Sequence, residues 1–218
     1  MKLSDIKTLI TSGTIILAVA LYLIFSNSMD DGVENVEQST PITSEQQTGE
    51  TTDYVITPQY AMDKTGKSLI DVKFLNANDG DTLNVEMDGK KERVRLLMID
   101  TPEMNYDKGD PMPYAEQAKA RTIELLENAD SVQLLFDKGP KTDKYDRLLT
   151  YVFVDGVSLH EILLTEGLAA VRYVNKPNDT LEDDLRDIEQ QAKEQKLNIW
   201  AHENYLQRDG FHPEEVKK

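Results

Sequence analysis

Between Asp71 and Trp200 the apolar positions recur in two rhythms, one of period two and one near 3.6, and each predicts its own kind of element. Val72 to Asn78 reads as a strand, Asp79-Gly80-Asp81 as a turn, and Thr82 to Met87 alternates like a second strand. Asp88-Gly89 is a strong hairpin signal, after which Glu92 to Ile99 forms a third, largely apolar strand. Tyr114 to Asn128 has helical spacing, with Ala115, Ala118, Leu125 and Leu126 on overlapping faces. Ser131 to Phe136 and Leu148 to Val154 read as two more strands. Asp155-Gly156 then turns the chain into a helix from about Ser158 to Glu166. Thr180 is placed to N-cap a last helix reaching about Lys196, along which Leu181, Leu185, Ile188 and Ala192 recur. Five strands and three helices in roughly 130 residues predict an α+β domain, a small barrel of the oligonucleotide-binding type with packed helices.

The flanks follow other patterns. Residues 1–8 are short and polar and carry Lys2 and Lys7, whereas residues 9–25 hold no charge at all. At about 1.5 Å per residue that stretch spans about 25 Å, slightly less than a bilayer core of about 30 Å. It fits a transmembrane signal anchor with the lysines in the cytoplasm and the domain outside. It also fits a signal peptide, cleavage of which would leave the protein secreted. Residues 26–70 are rich in Ser, Thr, Gln, Asp and Glu, with two lysines against eight acids. Such a segment cannot bury enough surface to fold, so an acidic flexible linker is expected. Residues 201–218 form a C-terminal extension, which Asn204-Tyr205 and Gly210-Phe211 could dock on the domain.

Charge changes the picture. The chain has no Cys, which excludes disulfides and thiolate metal sites. With 24 basic and 40 acidic residues its formal net charge is −16. Residues 71–200 alone hold 17 basic against 27 acidic residues, a net of −10. Bulk charge therefore repels nucleic acid, and binding to it requires a metal ion and a few local cations.

The candidate chemistry answers that requirement. Asp79-Gly80-Asp81-Thr82 sets two carboxylates at a turn, and Asp100-Thr101-Pro102-Glu103 sets two more where a strand ends. Hard cations such as calcium take oxygen ligands, and two acids from separate strand ends could share one. Taken singly, each tetrapeptide is more often a plain turn or loop. Arg95 lies inside an apolar strand, where a charged group needs a partner or an exposed face. In Thr142-Asp143-Lys144-Tyr145-Asp146-Arg147, the Lys, Tyr and Arg could grip a phosphate, with Arg147 offering a two-pronged fork. A solvated loop accounts for the same residues.

Together, DGDT, RLLMIDTPE, FDKGPKTDKYDR, GLAAVRYV with KPNDT, and KLNIW closely resemble the staphylococcal nuclease (thermonuclease) family, in one order over roughly residues 71–200. The resemblance implies a five-stranded Greek-key barrel with three helices. It implies Asp81, Asp100 and the Thr101 carbonyl as ligands of one Ca2+ ion. Glu103 would be the general base or the group that orders the attacking water. Arg95 and Arg147 would bind the scissile phosphate, and Lys144, Tyr145 and Tyr173 would shape the nucleotide pocket. The implied activity is calcium-dependent hydrolysis of DNA and RNA to products ending in 3′-phosphate. It also implies a cis bond at Lys176-Pro177.

Two positions depart from the family pattern. Asp146 stands where the archetype has Gly, and Asn175 replaces a second pocket Tyr. A catalytically silent binding barrel on a membrane stalk is the competing expectation. A monomer is expected. His160, His202 and His212 lack metal-ligand spacing, and Trp200 reads as a packing anchor. Side chains alternate along a strand, so Arg95 and Asp100 lie on opposite faces. To meet one phosphate and ion, the strand must bend, bulge or twist between them.

Overall fold

The computed structural model describes residues 55–107 and 109–216. The expected anchor and most of the expected linker lie outside the described residues. Among those described, no helix is long and apolar enough to cross a membrane.

Five strands close into a barrel. Strand β1 (Ile70–Ala77) pairs antiparallel with β2 (Thr82–Met87), and β2 with β3 (Lys90–Leu96). Strands β5 (Val132–Phe136) and β6 (Leu148–Val154) pair antiparallel, and β1 pairs antiparallel with β5. The ring is completed by a parallel pairing of β3 with β6, Val94 opposite Leu148 and Arg95 opposite Leu149. Closure leaves no free barrel edge and packs Leu83, Val85, Val94, Leu134 and Val152 inside at 0 % exposure, while Phe153 is buried on the opposite face of its strand.

The third strand is shorter than its apolar run predicts. It stops at Leu96, and Met98 takes a positive φ of 57°. A separate short strand, β4 (Ile99–Asp100), then pairs with β8 (Ala170–Val171), Asp100 opposite Ala170. Leu97 N–H still donates to the Thr150 carbonyl, so the break is a turn held against β6. This turn is the bend that the alternation of Arg95 and Asp100 calls for.

Among the described residues, four helices accompany the barrel, one more than the three expected. The additional one, α1 (Pro58–Thr65), falls in the stretch read as linker. Thr57 caps it by accepting from Tyr60 N–H, and Ala61 is fully buried. The chain enters the fold through the buried carboxylate of Glu161, which accepts from Val55 N–H at 2.7 Å and Ile56 N–H at 2.8 Å. Polar composition hid this segment because its attachment is made by backbone amides as well as apolar side chains. Helix α2 (Ala115–Glu127) buries Ala115, Ala118, Thr122 and Leu126. Helix α3 (Leu159–Thr165) is capped by Ser158, after the two-residue strand β7 (Val157–Ser158). Helix α4 (Glu182–Glu194) buries Leu185, Ile188 and Ala192 as its spacing predicts. Its N-cap is Leu181. Thr180 instead donates its hydroxyl to the buried Asp137. Lys176-Pro177 is cis.

The C-terminal extension is docked. After a 3-10 turn (Asn198–Ala201), strands β9 (Leu206–Gln207) and β10 (Gly210–Phe211) form a small hairpin. Tyr205, fully buried, packs with Ala170 and Ile199, and its hydroxyl donates to the Pro113 carbonyl at 2.6 Å.

Candidate active site

The turn between β1 and β2 is pressed against α2 and the loop after β4. A Cβ on Gly80 would lie 2.8 Å from Thr101 Cγ2 and 2.9 Å from Ala118 Cβ, so only glycine fits. Thr122 of α2 donates its hydroxyl to the Gly80 carbonyl at 2.8 Å. Asp79 accepts from Asp81 N–H at 3.1 Å, closing the turn. These contacts fix Asp81. Its Oδ2 accepts from Thr101 N–H at 2.8 Å, and its Oδ1 lies 3.2 Å from Arg95 Nε.

Arg95 is the hub. Its Nη1 donates to the carbonyls of Leu96 and Ile99, both at 2.7 Å, so the turn at Met98 wraps its guanidinium. Its Nη2 reaches Asp100 Oδ1 at 3.3 Å. The other oxygen of Asp100 faces Arg172 Nε, also at 3.3 Å. Arg172 follows β8, and its N–H donates to the Met98 carbonyl at 2.8 Å, which brings it alongside Asp100. The Tyr173 ring, 61 % exposed, lies 5.9 Å from the Arg95 guanidinium and 5.3 Å from that of Arg172.

The electrostatics are those of a crowded acid cluster. Burial, then the charge of Asp81, pushes Asp100 up to about 7 although Arg95 and Arg172 pull it down. Burial and Asp81 likewise push Asp79 up to about 7. Glu103 adds its negative charge to both. Glu103 is exposed just past Pro102, and its carbonyl accepts from Met112 N–H at 3.0 Å. From the loop that follows, Tyr106 donates its hydroxyl to the Asn78 carbonyl beside the turn.

Among the described residues, no three His, Cys, Asp or Glu side chains form a group set to hold a metal ion. The carboxylates of Asp81 and Asp100 remain, both within reach of Arg95, which suits a hard cation that keeps waters in its shell. The repulsion from Asp81 that adds to burial in raising Asp79 and Asp100 is what such a cation relieves, so the donor set fits a divalent ion with oxygen ligands.

Lys144, Tyr145 and Arg147 make a second group on the loop entering β6. Asp143 organises it, accepting from Tyr145 N–H at 2.9 Å and Arg147 N–H at 3.0 Å. Its Oδ2 also takes Arg147 Nε and Nη2, each at 2.7 Å. Burial opposes the charged form of Asp143, but these bonds outweigh it and hold its carboxyl below the ordinary range. The Tyr145 ring lies under Lys144 at 4.9 Å and Arg147 at 5.5 Å. Arg93 of β3 donates to the Tyr145 carbonyl, joining the loop to the strand that carries Arg95. Asp146 has a φ of 58° and is exposed, so its place in the loop is a backbone requirement that Gly or Asp can meet. Asn175 donates to the Tyr173 carbonyl at 2.8 Å.

The structure thus joins Asp81, Arg95, Asp100 and Thr101 by direct contact, with Tyr173 against Arg95 and Glu103 acting on the same carboxylates through its charge. Lys144, Tyr145 and Arg147 stand on the loop entering the neighbouring strand, β6, as a separate cluster. Sequence reasoning missed Arg172 and Asp143. The signal for Arg172 was present, since an Arg in the apolar run GLAAVRYV needs a partner as much as Arg95 does.

Comparison with known proteins agrees with this geometry. The family model for staphylococcal nuclease homologues matches residues 93–202. The chain is 42 % identical over 211 residues to the endonuclease YncB of Bacillus subtilis (strain 168), covering 94 % of this chain and 97 % of that one. It is 48 % identical over 145 residues to the SPbeta prophage-derived endonuclease YokF of the same strain, covering 66 % of this chain and 49 % of the relative. The thermonuclease of Staphylococcus hyicus is 35 % identical over 129 residues, 59 % of this chain and 75 % of that one.

Proposed function

Because the chain belongs to the staphylococcal nuclease family, we propose that it is a calcium-dependent endonuclease that hydrolyses DNA and RNA to products ending in 3′-phosphate. The observation that carries this reading is the convergence of Asp81, Asp100 and Arg95 in direct contact, with Glu103 acting on the same acids.

Asp81, Asp100 and the Thr101 carbonyl would hold the ion. When bound, it supplies positive charge for the phosphate oxygens and offsets the acidity of the site. Arg95 and Arg147 stabilise the charge that grows on those oxygens as water attacks phosphorus. Glu103 orders that water and takes its proton. The P–O5′ bond breaks, the phosphate stays on the 3′ oxygen, and the 5′ oxygen leaves with its bonding pair and takes a proton from solvent, to which Glu103 returns its own. Lys144, Tyr145 and Tyr173 seat the nucleotide. Arg147 is shared with Asp143 in this structure, so its grip on phosphate uses the prong that Asp143 leaves, or exchanges partners. The proposal includes a monomer held at the membrane by residues 9–25 with the domain outside the cytoplasm, or released by signal cleavage. The uncharged run supports it.

Digestion of single- and double-stranded DNA and of RNA, with calcium or chelator, tests the reading. Chelation should abolish cutting. Glu103→Gln should slow it by about 10²–10⁴-fold, the usual worth of a general base. Arg147→Ala should slow it by about 10²–10³-fold. Binding without cutting under all conditions would sink the enzyme and leave a binding module.

A further inference from the structure

Beyond the catalytic pocket runs a groove of about 580 Å³ between α4, the end of β8 and the C-terminal hairpin. Its walls carry four cations, Arg172, Arg186, Lys193 and Arg208, against one carboxylate, Glu189. Glu189 is buried and committed: it accepts from Val171 N–H at 2.8 Å and from Lys193 Nζ at 2.6 Å. Arg186 is held by Glu182 at 2.7 Å but keeps about half its side chain in solvent, 48 %. A chain of net charge −16 has gathered cations on one face of one groove.

The groove adjoins the catalytic cluster through two shared residues. Arg172 lines it and also pairs with Asp100, and Tyr173 lines it while its exposed ring lies against Arg95. A strand leaving the pocket across Tyr173 meets these cations next. Cations for the backbone beside an exposed ring for a base are how proteins hold single strands without reading sequence. The hairpin is built into the site. Arg172 Nη1 donates to the Gln207 carbonyl at 3.0 Å, and Nη2 lies 3.5 Å from that of Arg208.

We propose that this groove is a second nucleic-acid subsite, which holds the backbone of the substrate strand beyond the nucleotide at the cleavage site. The proposal rests on the nuclease reading for its substrate and goes beyond it in assigning α4 and the C-terminal hairpin to binding. It also answers the charge problem, since a repelled polyanion needs more than one point of attachment.

Trp200, the only tryptophan in the chain, lines the groove, with Lys193 4.5 Å from its ring centre, and so reports on it by fluorescence. The full-length chain, carrying Glu103→Gln to slow cutting, is titrated in calcium with a thymidine dinucleotide and with an oligothymidylate of about 12 nucleotides. The longer strand should change Trp200 emission and the dinucleotide should not. Arg186→Ala with Arg208→Ala should weaken binding of the longer strand about ten-fold and lower its salt slope by about two. With Glu103 restored, the double variant should cut the dinucleotide as the unaltered chain does. If cutting is intact but Trp200 is silent and the double variant binds the long strand normally, the subsite is overturned and the nuclease reading stands. If nothing is cut while Trp200 still responds and the double variant weakens that response, the nuclease reading falls and the groove stands as a binding site.

Discussion

His160 gives the sharpest stability prediction. It lies in α3 at 0 % exposure, its ring 5.5 Å from that of Tyr151. Burial, then the positive charge of Arg95, outweighs a bond to the Leu97 backbone and pushes its pKa down to about 3 from 6.5. The folded protein therefore refuses a proton that the unfolded chain accepts below pH 6.5. Stability is complete above that value, falls as pH drops through it, and stops falling near pH 3. The loss at pH 5 is about 2 kcal/mol, from one and a half pH steps at about 1.36 kcal/mol each. Urea denaturation at pH 8 and pH 5 of the unaltered chain and of His160→Gln isolates this contribution. Other groups titrate equally in both proteins, so the gap between their unfolding free energies should move by about 2 kcal/mol in favour of the variant at pH 5. A gap that stays constant from pH 8 to pH 5 would mean that His160 finds a partner or water on protonation, and the argument fails.

Three further outcomes follow from local geometry. Gly80→Ala should destabilise by about 1–3 kcal/mol through overpacking and weaken calcium binding by displacing Asp81; calorimetry checks both, and Thr101→Ser, which removes Cγ2, should restore part of the loss. Asp143→Ala should lower kcat about ten-fold by releasing Arg147 and the loop amides, while leaving thermal stability nearly unchanged; an unaltered kcat would show that Arg147 needs no positioning. Glu161→Gln should cost about 1–2 kcal/mol by weakening the bonds to Val55 and Ile56, seen as a lower urea midpoint with activity retained.

The elements that a sequence states most openly are those whose cause is local. The hairpin at Asp88-Gly89, the bounds of β2 and the buried face of α4 depend on neighbouring residues, and all stand where the pattern puts them; β2 itself does not alternate in burial, because Thr82 to Val85 are all covered. Features set by distant partners were hidden. Helix α1 depends on a carboxylate more than 100 residues away. The turn at Met98 needs a positive φ that methionine gives no hint of, and without it Arg95 and Asp100 face apart. Thr180 reads as a cap until Asp137 appears beside it. For the site, the acids and Arg95 were legible only because several motifs occur in one order. Arg172 lies within one of those motifs and was passed over.

Where the shared motifs stop is not where the working protein stops. Residues beyond Trp200 support Asp100 by two routes: Tyr205 packs on Ala170, its opposite number across the β4–β8 pair, and Gln207 and Arg208 offer carbonyls to the guanidinium beside it. Trimming the protein to its recognisable core would loosen a carboxylate that such a cut never touches, and an assay of the shortened form would mistake a lost brace for a weak enzyme.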